Sequence, residues 1–316
     1  DFFLDKTNYR EQESRNGLTL EAVEPVTTVY QKPTERVLFC EKRDANPFFH
    51  FIEGLWMLHG RNDLRPLTFF VGSMRDFSDD NETLWGAYGW RWRDYFDKDQ
   101  LEIIIAMLRR NPNDRRAVLQ MWDVKEDLDR DGKDVPCNTN IYFKVRDKKL
   151  NMTVCNRSND MLWGAYGANA VHMSMLQEYL ASRLEIAVGE YTQISDSFHV
   201  YQNDVWERCK ELGVIDIYSW RSTKNDYEYI KQKDLIPLIT HSKTFQWELD
   251  LFFEAFDDVI TTGKTFSTKD YIGPIKTFQN PSIRDIAIPM VNAYLFHKRR
   301  RYEDSYAWIN KIKAYD

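Results

Sequence analysis

The stretch VPCNTNIYFKVRDKKLNMTVCNRSND, residues 135–160, decides how this chain is read. Two runs in which apolar and polar side chains alternate, TNIYFKV and KLNMTVCN, flank Arg146-Asp147-Lys148-Lys149. Alternation with period two marks a strand with one buried face, and a short polar link between two such runs predicts a hairpin. A turn centred near residues 147–148 puts Cys137 and Arg157 roughly opposite each other at the open end. A cysteine is nucleophilic only as thiolate, so a catalytic Cys137 needs a cation to lower its pKa from about 8.5, and Arg157 offers one. Spacing alone also allows a buried, inert thiol.

Working outward, Leu18 to Val37 is rich in β-branched residues and broken by Pro25 and Pro33, which predicts strands with loops. PFFHFIEGLWMLHG (47–60) is apolar almost all round, opens on Pro and closes on Gly, and reads as a buried helix. LEIIIAMLRR is a second apolar helix stopped by NPND, after which RAVLQMWD reads as a core strand. Residues 168–185 form a long amphipathic helix and EYTQISDSFHVY a strand; FQWELDLFFEAFDDVITTG, IRDIAIPMVNAYLFHKRR and YEDSYAWINKIKAY predict three more helices. The pattern is α+β. Without repeats or a linker, residues 1–316 are expected to form one domain with a helical C-terminal part from about 210.

With 43 Lys+Arg against 49 Asp+Glu the net charge is −6, which argues against a nucleic-acid-binding face while leaving room for a few arginines around one phosphate. No stretch has the length of a membrane span and DFFLDKTNYR has no secretory h-region, so a cytoplasmic protein is expected. Cys40, Cys137, Cys155 and Cys209 lack C-x-x-C spacing, so neither a zinc site nor a disulfide framework is expected.

Arg15, the pair Arg115-Arg116, and Arg157 followed by Ser158 are candidate anion ligands, because guanidinium forks match phosphate oxygens and a hydroxyl completes such a cage. Taken singly each also reads as a solvated charge or ion pair. Glu53 is the lone acid of an apolar helix, a setting suited to general acid/base work, or else the partner of an arginine elsewhere. His199 and Tyr201 share one face of a strand, where they can bind a ribose hydroxyl or satisfy core polar groups. The run His297-Lys298-Arg299-Arg300-Arg301 reads as a solvated helix C-terminus.

Taken together, EGLWMLHG (53–60), AYGWRWR (87–93), NDRR (113–116), Pro136-Cys137, RSNDMLWG (157–164) and HVY (199–201) resemble the ordered motifs of the thymidylate synthase and pyrimidine nucleotide hydroxymethylase family. The resemblance covers roughly residues 10–205. It implies a three-layer α/β/α fold with a large mixed sheet packed by helices, a symmetric homodimer, and action on a pyrimidine nucleoside monophosphate with 5,10-methylenetetrahydrofolate. By position it implies Cys137 as the nucleophile at pyrimidine C6, and Arg15, Arg157 and Ser158 on the phosphate with Arg115 and Arg116 reaching it from the other subunit. Glu53 would then organise proton transfers near the base and Tyr88 assist proton removal from C5, with His199 and Tyr201 on the ribose. Asp160 and Trp85 would meet the folate.

The sequence departs from the synthases at two positions. Asn138 follows the cysteine where those enzymes have His, and Ala168 stands eleven residues after Arg157, where the synthases carry Asn and deoxycytidylate hydroxymethylases carry Asp. A methyl group reads neither base, so base choice is left to water or to the neighbouring Asn169. The familiar synthase C-terminus is absent, which favours hydration of an exocyclic methylene over reduction. The alanine is similar to the cytidylate hydroxymethylases of nucleoside-antibiotic pathways, and Lys125, in the loop MWDVKEDLD after the RAVLQMWD strand, is a candidate ligand for a 2′-hydroxyl, or else a solvated lysine. CMP 5-hydroxymethylation is therefore the first expectation. dCMP or dUMP hydroxymethylation, thymidylate synthesis, and a nucleotide-binding regulator without turnover are the rivals.

Overall fold

The computed structural model describes residues 3, 5–37, 43–203, 206–207, 236–266 and 278–312. Cys40 and Cys209 lie outside the described residues. Seven strands form one sheet: β1 (Tyr9–Ser14), β2 (Gly17–Ala22), β3 (Val26–Tyr30), β4 (Val118–Gln120), β5 (Asn138–Arg146), β6 (Lys149–Asp160) and β7 (Ala187–Tyr201). Their order is β1-β2-β7-β6-β5-β4, with β3 also paired to β7. All neighbours are antiparallel except β6 and β7, which run parallel because the helix α5 (Ala168–Leu184) carries the chain back between them.

The expected hairpin forms. Asp147 and Lys148 take positive φ (49° and 58°), a reversal matched to strand twist, and Asn138 faces Asn156 at the open end. Alternation then sends Ile141, Phe143, Leu150, Met152 and Val154 into the main core. RAVLQMWD forms the three-residue edge strand β4, and Ala117, Leu119 and Met121 alternate into the main core as its apolar text predicts.

Against the sheet pack α1 (Pro47–His59), α3 (Tyr88–Arg93), α4 (Gln100–Arg110) and α5, the mixed sheet packed by helices that the motifs implied. Helix α1 starts where the Asn46 side chain accepts the Phe49 N–H (3.0 Å), with Pro47 at its first position, and stops at Gly60 in the left-handed region. Gly54 faces α5, where an added Cβ would lie 2.4 Å from the Met175 sulfur. Further helices are α2 (Arg65–Phe70), α6 (Phe245–Thr262), α7 (Ile288–Lys298) and α8 (Tyr302–Ile309). Phe252, Phe253 and Phe256 of α6 belong to the same core as α1 and β5.

On the opposite side of the sheet, register aligns Val118, Tyr142, Thr153, Thr192 and Val29 in one row across five strands. Val29 is 50% exposed, and Val118, Tyr142 and nearby Ile194 each about 38–39%.

Candidate active site

Cys137 stands at the entry to β5, half-buried, at the end of a loop held by two arginines. Arg157 donates its main-chain N–H to the Cys137 carbonyl (2.9 Å), which fixes the predicted juxtaposition. Its Nε donates to the Pro136 carbonyl (2.8 Å) and its Nη2 to that of Val135 (3.0 Å), 3.9 Å from Cys137 Sγ. Arg15, in the β1–β2 turn, donates to the carbonyls of Gly132 and Lys133, both at 2.7 Å. Both guanidiniums thus brace the loop that carries Cys137, a role the sequence did not reveal. Burial pushes the Cys137 thiol up and Asp134 adds to this, while Arg157 and Arg15 pull it down without reversing the net shift. The expected thiolate-favouring cation is present, but burial outweighs it in the free protein.

Tyr88 opens α3 with its hydroxyl oxygen accepting the Asn138 N–H (3.3 Å); burial pushes its phenol well above the ordinary range. Two residues earlier, the Gly86 N–H donates to Asp134 (2.8 Å), whose carboxyl is raised by burial. The Trp85–Tyr88 segment is therefore joined to the Cys137 loop at Asp134 and at Asn138. A Cβ on Gly86 would sit 2.8 Å from Asp134 Oδ1, so this approach needs glycine. Asp134 escaped the sequence reading; an acid three residues before the cysteine was the available signal.

Trp85 donates Nε1–H to Asp127 (2.7 Å) and lies under the Arg130 guanidinium (3.9 Å to the ring centre). Asp127 pairs with the wholly buried Arg91 through bonds of 2.6 and 2.9 Å. These contacts fix the indole plane.

Glu53 faces His172 of α5 across 3.1 Å, without the alignment of a hydrogen bond, and not an arginine. His50, one turn before Glu53, meets His172 edge-on (6.1 Å), and burial, then the neighbouring His172, depress its pKa to about 4. This pairing of α1 with α5 joins residues more than a hundred positions apart.

Asp160 ends β6 and is in register with His199 on parallel β7, near the strand ends where open α/β sheets bind ligands. One Asp160 oxygen accepts the Trp163 N–H, while Oδ2 is buried without a partner among the described residues. Burial raises this carboxyl and His199 partly offsets the rise. The rings of His199 and Tyr201 lie 5.2 Å apart on one face of β7. Ser158 is half-buried beside Ser197 in register.

Between β6 and α5 the chain makes a π turn over Met161–Ala165, closed by Tyr166 N–H to the Met161 carbonyl (2.9 Å). Ala168 is the first residue of α5. Asn169 donates Nδ2–H to Asn159 Oδ1 (3.0 Å), and Asn159 in turn donates its own Nδ2–H to Ser195 Oγ (2.9 Å). A Cβ on Gly164 would fall 2.3 Å from Asn159 Oδ1, so glycine admits this amide pair.

Three candidates are not brought to this cluster within one chain. Arg115 and Arg116 are exposed just before β4, and Arg116 is occupied by Asp114 (2.8 Å). Lys125 is exposed in the turn after β4.

A thymidylate synthase family model matches residues 7–213. The chain belongs to the thymidylate synthase family. Within that family it is 43% identical over 312 residues, 96% of its own length and 84% of the relative's, to a deoxyuridylate hydroxymethyltransferase of Pseudomonas phage M6. It is 36% identical over 206 residues, 62% of this chain and 54% of the other, to a protein of that name from Bacillus phage SP01. The crystal structure of thymidylate synthase from T4 phage shares the fold, with a TM-score of 0.52 and 22% identity over 65% of this chain and 76% of that one. The match to the family model ends at 213, and α6 to α8 lie beyond it, while the phage M6 relative extends across them.

Proposed function

We propose that this protein is a folate-dependent pyrimidine nucleotide 5-hydroxymethylase that converts dUMP to its 5-hydroxymethyl derivative. The observation that carries the reading is the convergence, at the open end of one hairpin, of the Cys137 thiol, the Tyr88 hydroxyl and the Arg157 guanidinium. Hydroxymethylation, as opposed to reductive methylation, follows the relatives' name.

The choice of dUMP over the CMP expected from Ala168 and Lys125 rests on Asn169. With its Nδ2 donating to Asn159, Oδ1 is an acceptor for a ring N3–H, which uracil has and cytosine lacks. The π turn leads into α5, whose second residue, Asn169, stands next to Ala168 at the position that the family pattern gives to base reading.

Arg157, Arg15 and Ser158 hold the phosphate, and His199 and Tyr201 the sugar. The exposed apolar row on the sheet is the face of a homodimer, which delivers Arg115 and Arg116 of each copy to the other's phosphate. A single catalytic domain is supported by the one core shared by α1, β5 and α6.

The folate fits the residues present: the partnerless Asp160 Oδ2 accepts pterin N–H groups, and Trp85 and the half-exposed Trp163 offer ring faces. When bound, 5,10-methylenetetrahydrofolate supplies a one-carbon unit at the oxidation level of formaldehyde. Cys137 Sγ adds to C6 as thiolate, which makes C5 nucleophilic toward that carbon. Tyr88 keeps its proton, and serves C5 deprotonation by orienting the accepting water. Loss of the C5 proton, with tetrahydrofolate as the leaving group from the transferred carbon, would leave an exocyclic methylene on the nucleotide, and Glu53, held opposite His172, positions the water that adds to it. Expulsion of Cys137 from C6 then restores the ring and frees the thiol.

The test is incubation with dUMP, dCMP or CMP, formaldehyde and tetrahydrofolate, weighing the product and following dihydrofolate absorbance. A hydroxymethyl gain on dUMP without dihydrofolate is expected. A methyl gain with dihydrofolate refutes the hydroxymethylase reading, preference for CMP refutes the role of Asn169, and absence of turnover points to a regulator.

A further inference from the structure

Residues Lys298 and Arg299 of the basic run at the end of α7 do more than complement a helix dipole. They join Arg65 of α2 and Arg75 of the 3₁₀ turn Gly72–Phe77 around a cavity of about 470 Å³, within the range of small-molecule sites. Phe69 and Leu295 form part of its apolar lining, and no acidic side chain contributes among the described residues. Three of the four cations make one hydrogen bond each, and Lys298 also lies over the Phe69 ring (4.9 Å to its centre). Arg65 donates to Thr261 Oγ1 (2.6 Å), Lys298 to the Phe69 carbonyl (3.1 Å) and Arg299 to the Gly263 carbonyl. Two of these bonds satisfy carbonyls at the C-termini of α2 and α6, which explains why cations gather here. They use one donor of each group, whereas arginine has five and lysine three. Arg75 is exposed and makes no side-chain hydrogen bond or ion pair among the described residues, and none of the four is paired with a carboxylate there.

We infer that this cavity is a binding site for a small polyanion of the nucleoside triphosphate class. A single phosphate matches one or two guanidinium forks; four cations around one concave space, none with a carboxylate partner among the described residues, match a phosphate chain, and the apolar wall suits the nucleoside attached to it. A nucleic-acid backbone, by contrast, is met by cations spread along an open face. The site shares no residue with the Cys137 cluster and does not depend on the function proposed above.

The test is calorimetric titration of the full chain with inorganic triphosphate and then with dUTP, at low salt and at 0.5 M salt. Saturable 1:1 binding weakened by salt is expected, retained in Arg157→Ala, and weakened at least tenfold in Arg75→Gln/Lys298→Gln. Arg75→Glu, at an exposed position whose replacement leaves the fold intact, should weaken it further than Arg75→Gln. Absence of binding, loss of binding in Arg157→Ala, or unchanged affinity in Arg75→Glu overturns the proposal.

Discussion

Arg157→Gln isolates what one guanidinium does for the nucleophile, because glutamine keeps a planar donor and loses the charge. At 3.9 Å from Cys137 Sγ, a full charge stabilises a thiolate by about 1 kcal/mol in a water-like dielectric and about 4 kcal/mol at an effective value of 20. Arg157 is exposed, so solvent screening selects the lower figure. One kcal/mol is a little under one pKa unit, or about fivefold in thiolate at fixed pH below the pKa. The assay is site-resolved alkylation of Cys137 by iodoacetamide, read by mass spectrometry from pH 6 to 10, with half-buried Cys155 as internal reference. The Cys137 profile should move to higher pH by slightly less than one unit, Arg157→Lys should recover part of the shift, and Cys155 should not move. Coincident profiles for wild type and Arg157→Gln would show that the guanidinium braces the loop through Val135 and Pro136 and does nothing for the thiol.

Mixing inactive Cys137→Ala with inactive Arg116→Ala should restore about a quarter of the wild-type activity through hybrid dimers, each with one intact site; no recovery refutes shared arginines. Gly164→Ala should cost about 1–3 kcal/mol in urea unfolding, since its methyl meets Asn159 at 2.3 Å, and should relax dUMP over CMP selectivity; unchanged selectivity separates the amide pair from base reading. His50, depressed from 6.5 to about 4, binds fewer protons folded than unfolded, so its contribution to stability falls as pH drops from 6.5 toward 4, by up to roughly 3 kcal/mol. Raised Asp134 and Asp160 act in the opposite sense, so melting of wild type against His50→Gln across that window isolates the histidine; parallel curves contradict the assignment.

Features set by local chemistry were legible in the chain. The alternation of TNIYFKV and KLNMTVCN placed Arg157 beside Cys137, and Pro47 and Gly60 bounded α1, because each depends on neighbours a few residues away. What depends on distant pairing was not. The partner of Glu53 is His172 because α1 crosses α5, and Asp134 matters because the Gly86 N–H reaches it, neither of which any periodicity encodes. RAVLQMWD read as core and its Ala117, Leu119 and Met121 are buried, but its apolar content could not say that the strand lies at a sheet edge. Asn169 read only as a neighbour of Ala168, because its bond to Asn159 needs the end of β6 to meet the start of α5, which no local pattern encodes.

A π turn stores one residue that an α turn does not, so the number of residues between Arg157 and the amide beside Asn159 is not dictated by the fold. On the base-reading role proposed for Asn169, base preference along this branch can diverge by a one-residue insertion or deletion in this turn as well as by substitution at position 168.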